Sequence, residues 1–225
     1  MRFEALYSLI SVHIPKTAGT SFAGVLRECF GEKLIVDNSD RPLSHPAGAR
    51  KVIALKGMLS NIARSDLPEC VHGHFLPVKF LAARRARFCT WFRDPVQRVI
   101  SRYYHYVWHA DVEKQHYRWG LRPGLSIEEF IRIPQYHNTY AKYLWAFPFS
   151  KFDFVGVVEN GDCELKRFRD CFGFSDVSLN PIRVNVNPAQ IAGAGYEIEP
   201  SLERLIRQFN ARDVALYNRA LDAQR

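Results

Sequence analysis

The chain lacks a cysteine framework. Its 225 residues include five cysteines, an odd number with no C-x-x-C pair. That excludes a disulfide framework. Free thiols in a reducing compartment are the expectation for Cys29, Cys70, Cys89, Cys163 and Cys171, with Cys70 and Cys89, set among apolar neighbours, in the core. No apolar run reaches membrane-spanning length. The run over 6–14 is short, carries His13 and is followed by no small-residue cleavage site. Repeats and low-complexity tracts are absent. Positive residues are scattered apart from Arg84, Arg85 and Arg87, and no basic helix interleaved with aromatics occurs, so nucleic acid is not the expected partner. A soluble protein without a transmembrane segment is expected, cytoplasmic if this is the whole gene product.

What is present is an ordinary globular balance: 47% hydrophobic and 24% charged residues, with a net charge of +8. That suffices for a sizeable core and argues against disorder over most of the length. The basic balance suits an anionic partner such as a phosphorylated cofactor or a polyanionic glycan; a solvated basic surface is the plain alternative. The length fits one domain, 1–225.

The order of patterns is strand, loop, helix, repeated. Residues 7–14 read as a buried parallel strand. A turn over 15–19 follows, and Phe22, Val25, Leu26 and Phe30 recur at helical spacing up to Gly31. Residues 37–50, rich in Asn, Asp, Pro and Gly, read as a loop, and 51–56 as a short strand. Strands are expected near 70–75, 87–92 and 153–158. Asp94 followed by Pro95 starts a helix running to Trp108, and 111–125 reads as a loop. Ser126 with Glu129 forms a capping-box pattern. Helices are expected over 136–145 and 163–171, and on the apolar face of Leu202, Leu205, Ile206 and Phe209, with a last one over 213–221. Residues 173–200 read as irregular. Strands alternating with helices predict a three-layer α/β/α fold around a central, mostly parallel sheet, P-loop-like in its opening unit.

Three segments carry chemistry. The first is P-K-T-A-G-T-S-F over 15–22, a loop between strand and helix. Amides of such a loop and of the helix start converge on one spot, an anion site. Gly19 permits close approach, Lys16 brings a mobile charge, and Thr17, Thr20 and Ser21 bring hydroxyls. It is no Walker A loop, because Lys16 precedes Gly19 and the Lys-Ser/Thr pair that positions magnesium is missing. An ordinary capped turn is the plain alternative. The second is R-D-P-V-Q-R-V-I-S-R-Y-Y over 93–104. Arg93 offers a fork of donors that suits phosphate, with Ser101 about two helical turns on. Alone, this reads as a capped helix with an Asp–Arg ion pair. The third is V-H-G-H-F over 71–75. Strand alternation puts His72 and His74 on one face, where a histidine can act as general base. A metal site of His72, His74 and Cys70 is the weaker alternative, for want of a third ligand at a suitable spacing.

The first two segments, in this order and at this spacing, resemble the 5′-phosphosulfate loop and the 3′-phosphate motif of sulfotransferases that use 3′-phosphoadenosine 5′-phosphosulfate (PAPS). They are most similar to the carbohydrate branch that includes heparan sulfate 2-O-sulfotransferase, and H-G-H-F resembles the stretch that holds its catalytic histidine. Further resemblance extends over 152–159, the N-V-N-P stretch at 185–188 and the last helices. The resemblance implies a sulfotransferase moving a sulfuryl group from PAPS to a hydroxyl, of a carbohydrate, with 3′,5′-ADP as product and no metal required. It implies His74 as base and Lys16 as charge stabiliser, and a cofactor held by Lys16, Thr17, Ala18, Gly19, Thr20, Ser21, Arg93 and Ser101. His72, Tyr104, His109 and Asn187 are candidates for contact with the acceptor, a glycan or glycoconjugate. The aromatic-rich region 103–149, with Trp108, Trp119 and Trp145, could stack on sugar faces or fill a helix core. An ATP-dependent kinase on a degenerate P-loop, and a non-catalytic module binding a polyanionic glycan, are the competing readings.

Overall fold

The first apolar run forms β1 (Ser8–Val12), whose Leu9, Ile10 and Val12 are buried although they alternate between its two faces. Burial on both sides is what a parallel strand inside a layered α/β fold requires. The computed structural model describes residues 7–62, 67–83, 85–108, 121–174 and 195–224. Its other strands are β2 (Leu34–Val36), β3 (Cys70–Gly73), β4 (Ala86–Phe92) and β5 (Phe154–Val157). Its helices are α1 (Gly19–Phe30), α2 (Ala47–Ile62), α3 (Pro95–Trp108), α4 (Ile127–Phe130), α5 (Thr139–Tyr143), α6 (Gly161–Phe172), α7 (Pro200–Phe209) and α8 (Ala211–Asp222). The strands form one parallel sheet of order β2-β3-β1-β4-β5, with helices on both sides. Every carboxyl end therefore opens on one edge. The chain moves outward in one direction after β1 and in the other after β4, and ligands of such sheets bind at that edge.

The chain divides into two compact units, Met1–Phe92 with Lys142–Val184 and Arg93–Ala141 with Asn185–Arg225. In the first, Phe22, Val25 and Leu26 of α1 and Leu165, Phe168 and Phe172 of α6 close over Leu9, Cys70, Cys89, Trp91 and Phe154 of the sheet. Ile10, Phe88, Phe92 and Val157, which alternate to the other face, are buried as well. The cysteines are unpaired, with Cys70 and Cys89 in the core as expected. Burial pushes the Cys89 thiol up to about 12.

One element reverses expectation. Residues 51–56 are not a strand but the middle of α2, and the loop expected over 37–50 gives way to a 3-10 turn at Pro42–Ser44 and then to this helix. The β-branched pair Val52 and Ile53 suggested a strand. The face that packs is instead Arg50, Ala54, Met58 and Asn61, at helical spacing. Asn61 donates through Nδ2 to the Lys79 carbonyl (3.0 Å) and pins the helix to the 3-10 turn Pro77–Phe80. The side chains of Val52, Leu55, Leu59 and Ile62 are left exposed.

In the second unit α3, α4 and α7 pack through Val96, Val99, Ile100, Phe130 and Ile206. Asp94 caps α3 as the sequence predicts, its Oδ1 accepting from the amides of Val96 (2.9 Å) and Gln97 (3.1 Å). Ser126 and Glu129 form both halves of the capping box on α4. Arg98 of α3, almost wholly buried, faces the buried Asp213 of α8 at 3.6 Å. The same carboxylate accepts from the amides of Tyr140 and Ala141, both at 3.1 Å, at the start of α5. Among the described residues no helix is long and apolar enough to cross a membrane.

Candidate active site

The loop after β1 is built from two residues in an unusual backbone conformation. Lys16 and Ala18 both have positive φ, 70° and 59°. For residues with a Cβ the left-handed region costs on the order of 1–2 kcal/mol, so something must hold them there. Part of the answer is Thr17 between them, buried, its hydroxyl donating to the Ile14 carbonyl at 2.8 Å. That corrects one expectation: the Thr17 hydroxyl proton is committed to closing the loop, and only its amide remains to face an anion. Left-handed residues interspersed in a turn aim successive amides to one side, as in an anion-binding nest.

α1 begins directly after this turn. Its N-cap is Ala18, which has no side-chain acceptor, and its first turn holds no acidic residue. The N-cap of this 12-residue helix thus offers no side-chain acceptor at the positive end of the helix dipole. Gly19 has a specific reason to be glycine: a Cβ there would lie 2.0 Å from atoms of the His13 ring. Thr20 is exposed and Ser21 and Lys16 are half-buried.

Next to the loop lie three histidines, not two. Parallel pairing of β1 with β3 sets Ser11 beside His72 and Val12 beside Gly73, so the two strand ends leave the sheet together. The His13 ring stacks on His74 (centroids 4.1 Å apart, 26° between planes) and on His72 (5.0 Å, 20°). The expected shared face of His72 and His74 is present, although β3 ends at Gly73. His72 Nδ1 is hydrogen-bonded to Ser11 Oγ at 2.9 Å, and Nε2 lies against the Gly19 backbone without meeting hydrogen-bond geometry. The His72 ring is 3% exposed, which removes it as an acceptor contact: it braces the site from inside. Burial, and then His74, lower its pKa to about 4.

His74 is half-buried and anchored at two points. Its amide donates to Asn38 Oδ1 (3.1 Å), and its Nδ1 lies 2.7 Å from the His13 carbonyl. A carbonyl only accepts, so Nδ1 carries the hydrogen and, in the neutral ring, Nε2 carries the lone pair. Residues 37–40 are themselves locked. The Asp37 amide donates to the His72 carbonyl (2.9 Å), and Lys79 bridges the carboxylates of Asp37 (2.7 Å) and Asp40 (2.9 Å). Sequence reasoning missed His13, Ser11 and Asn38. Only the position of His13 at the end of a strand hinted at its place.

In the other unit, Arg93 is buried, and both its backbone groups are held by Tyr140: the amide donates to the phenol oxygen (3.0 Å), and the phenol donates to the carbonyl (2.6 Å). The Arg93 guanidinium lies over the Tyr196 ring at 5.8 Å and meets no carboxylate among the described residues. The Asp–Arg ion pair that the R-D-P segment suggests forms elsewhere, between Asp94 and Arg207 at 3.3 Å. Ser101 is buried on α3. Tyr104 stacks on Trp108 (5.7 Å) and Tyr196 (5.4 Å), in the aromatic packing of this unit. Trp145 packs beside Leu76 and Val78, under Lys51 at 5.1 Å. His109, Trp119 and Asn187 lie outside the described residues.

Among the described residues no group of three or more His, Cys, Asp or Glu is placed to hold a metal ion. The His13, His72 and His74 rings meet face to face, so their nitrogens do not converge on one point. The first unit thus sets a turn with two left-handed residues beside a histidine whose neutral ring carries its hydrogen on Nδ1.

No protein-family model matches the chain, and no curated protein matches it. Among solved structures, a sulfotransferase from Alicyclobacillus acidocaldarius is similar, at 18% sequence identity over 94% of each chain, with a TM-score of 0.48.

Proposed function

We propose that this chain transfers a sulfuryl group from PAPS to a hydroxyl, of a carbohydrate. The observation that carries the reading is the turn at Lys16 and Ala18, opening an uncapped helix beside a histidine held as the Nδ1–H tautomer. A pre-set anion cradle and a proton acceptor in one unit are what transfer to a hydroxyl needs. The buried Arg93 guanidinium, without a carboxylate among the described residues, supports a second phosphate position. The family resemblance of both segments assigns these positions to the two ends of PAPS.

When bound, PAPS supplies an activated sulfuryl group and a phosphate leaving group. His74 takes the acceptor proton at Nε2 as the new oxygen–sulfur bond forms and the bond from sulfur to the 5′-phosphate oxygen breaks. Lys16 and the amides of Gly19, Thr20 and Ser21 stabilise the negative charge that grows on the leaving oxygen. Arg93 and Ser101 hold the 3′-phosphate, the group that separates this donor from ATP. A sulfuryl group carries less charge than a phosphoryl group, so the lysine and amides can serve without magnesium.

The test is transfer of labelled sulfate from PAPS across a panel of glycans, phenols and lipids. Lys16→Ala and His74→Ala should each lower the rate about 10²- to 10⁴-fold, and EDTA should leave it unchanged. Calorimetry should show 3′,5′-ADP binding tighter than ATP, with Arg93→Ala removing the preference. Equal binding of the two nucleotides, with transfer of phosphate in place of sulfate, would sink the reading. Transfer to phenols alone would remove the carbohydrate and keep the reaction class.

A further inference from the structure

We propose that His13 is a positioning residue for His74: its carbonyl selects which nitrogen of His74 carries hydrogen, and its ring fixes the plane in which Nε2 faces the acceptor. The assignment of His74 as base rests on the proposed function. The geometry of the clamp does not.

Three contacts hold the clamp. The His13 amide donates to the Gly73 carbonyl at 2.8 Å, tying the end of β1 to the residue before His74. The His13 carbonyl accepts from His74 Nδ1 at 2.7 Å. The ring is enclosed by His72 at 5.0 Å, His74 at 4.1 Å and the Cα face of Gly19. The hydrogen bond alone would let the His74 ring pivot about the Nδ1–H···O direction. The stack removes that freedom.

The groups that face the His13 ring are His74 and His72 from β3 and its end, and Lys16 from the phosphate loop. Burial, and then these neighbours, push its pKa down to about 2. His13 therefore stays neutral while His74 gains a proton, and no second cation opposes it in the stack. Arg27 of α1 acts on His72 in the same direction, so both supporting rings remain uncharged.

The experiment uses the full chain with ¹⁵N-labelled histidine, in wild type, His13→Ala and His13→Phe. All three keep the carbonyl; only the ring differs. Long-range ¹H–¹⁵N spectra should show the Nδ1–H tautomer at His74 in all three, because each keeps the carbonyl that selects it. With PAPS and an acceptor, kcat of His13→Ala should fall about ten- to a hundred-fold with little change in KM for PAPS, and the acidic limb of its pH profile should move. His13→Phe should recover most of the rate. Three results would overturn the proposal: an Nε2–H tautomer in the wild type, an unchanged kcat and pH limb in His13→Ala, or a folded His13→Phe as impaired as alanine. The last would mean a ring nitrogen is needed. If the wild type transfers no sulfate, the proposed function fails and the tautomer spectra alone decide. If His13→Ala does not fold, His13→Asn takes its place.

Discussion

A histidine packed against two others and a helix start resists protonation, and that resistance links the site to acid stability. The folded pKa values of His13 and His72, about 2 and about 4, lie below the ordinary histidine value of 6.5. In the unfolded chain both rings take protons as pH falls through 6.5; in the fold they do so only later. The unfolded state then binds more protons, so stability present above pH 6.5 is lost on acidification. Each ring can contribute a slope of about 1.4 kcal/mol per pH unit within its window. For His72 the loss ends near pH 4, and for His13 it continues towards pH 2. Urea unfolding at pH 4, 5 and 6 should show a shallower decline in His72→Asn than in the wild type; equal slopes would mean that His72 already carries a proton in the fold. At this scale the sequence singled out Lys16, Gly19 and His74 as candidates, because a motif lists residue types in order. It did not reveal His13 or Ser11. Their roles come from pairing β1 with a strand some sixty residues later.

Helix ends were the most legible elements. A cap is a local event: Asp94 needs only the amides of Val96 and Gln97, and Ser126 needs only Glu129. Asp94→Ala should cost about 1–2 kcal/mol, from the lost cap plus a weak, half-exposed pair with Arg207. Asp94→Asn, which keeps an acceptor, should cost less than about 1 kcal/mol. Chemical denaturation of the pair separates the two contributions; equal losses would place the effect in the ion pair. α2 was misread for the opposite reason. Its packed face holds Arg50 and Asn61, while Val52, Leu55, Leu59 and Ile62 face outward. A hydrophobic pattern identifies a helix only when apolar residues are the ones that pack.

At the scale of the whole molecule, each unit has its own core and its own buried polar anchor. In the second, Asp213 receives Arg98 and the start of α5. Burial pulls this carboxyl above its usual range, with Arg98 and the amides of Ala141, Tyr140 and Thr139 pulling it back. Asp213→Ala leaves a buried guanidinium uncompensated and should destabilise the chain by about 3–5 kcal/mol; a loss under about 1 kcal/mol, read from denaturant midpoints, would show that the pair is dispensable. What the sequence by itself determined is everything that depends on neighbours along the chain: the α/β alternation, the caps, and the loop between β1 and α1 with its residue types. What only the tertiary structure decided is which of those residues keep their chemistry. It committed the Thr17 hydroxyl to Ile14, buried His72, took Tyr104 into a stack and chose the tautomer of His74. Those outcomes depend on strand order and register, which bring distant segments within hydrogen-bonding distance, and no local pattern encodes that distance.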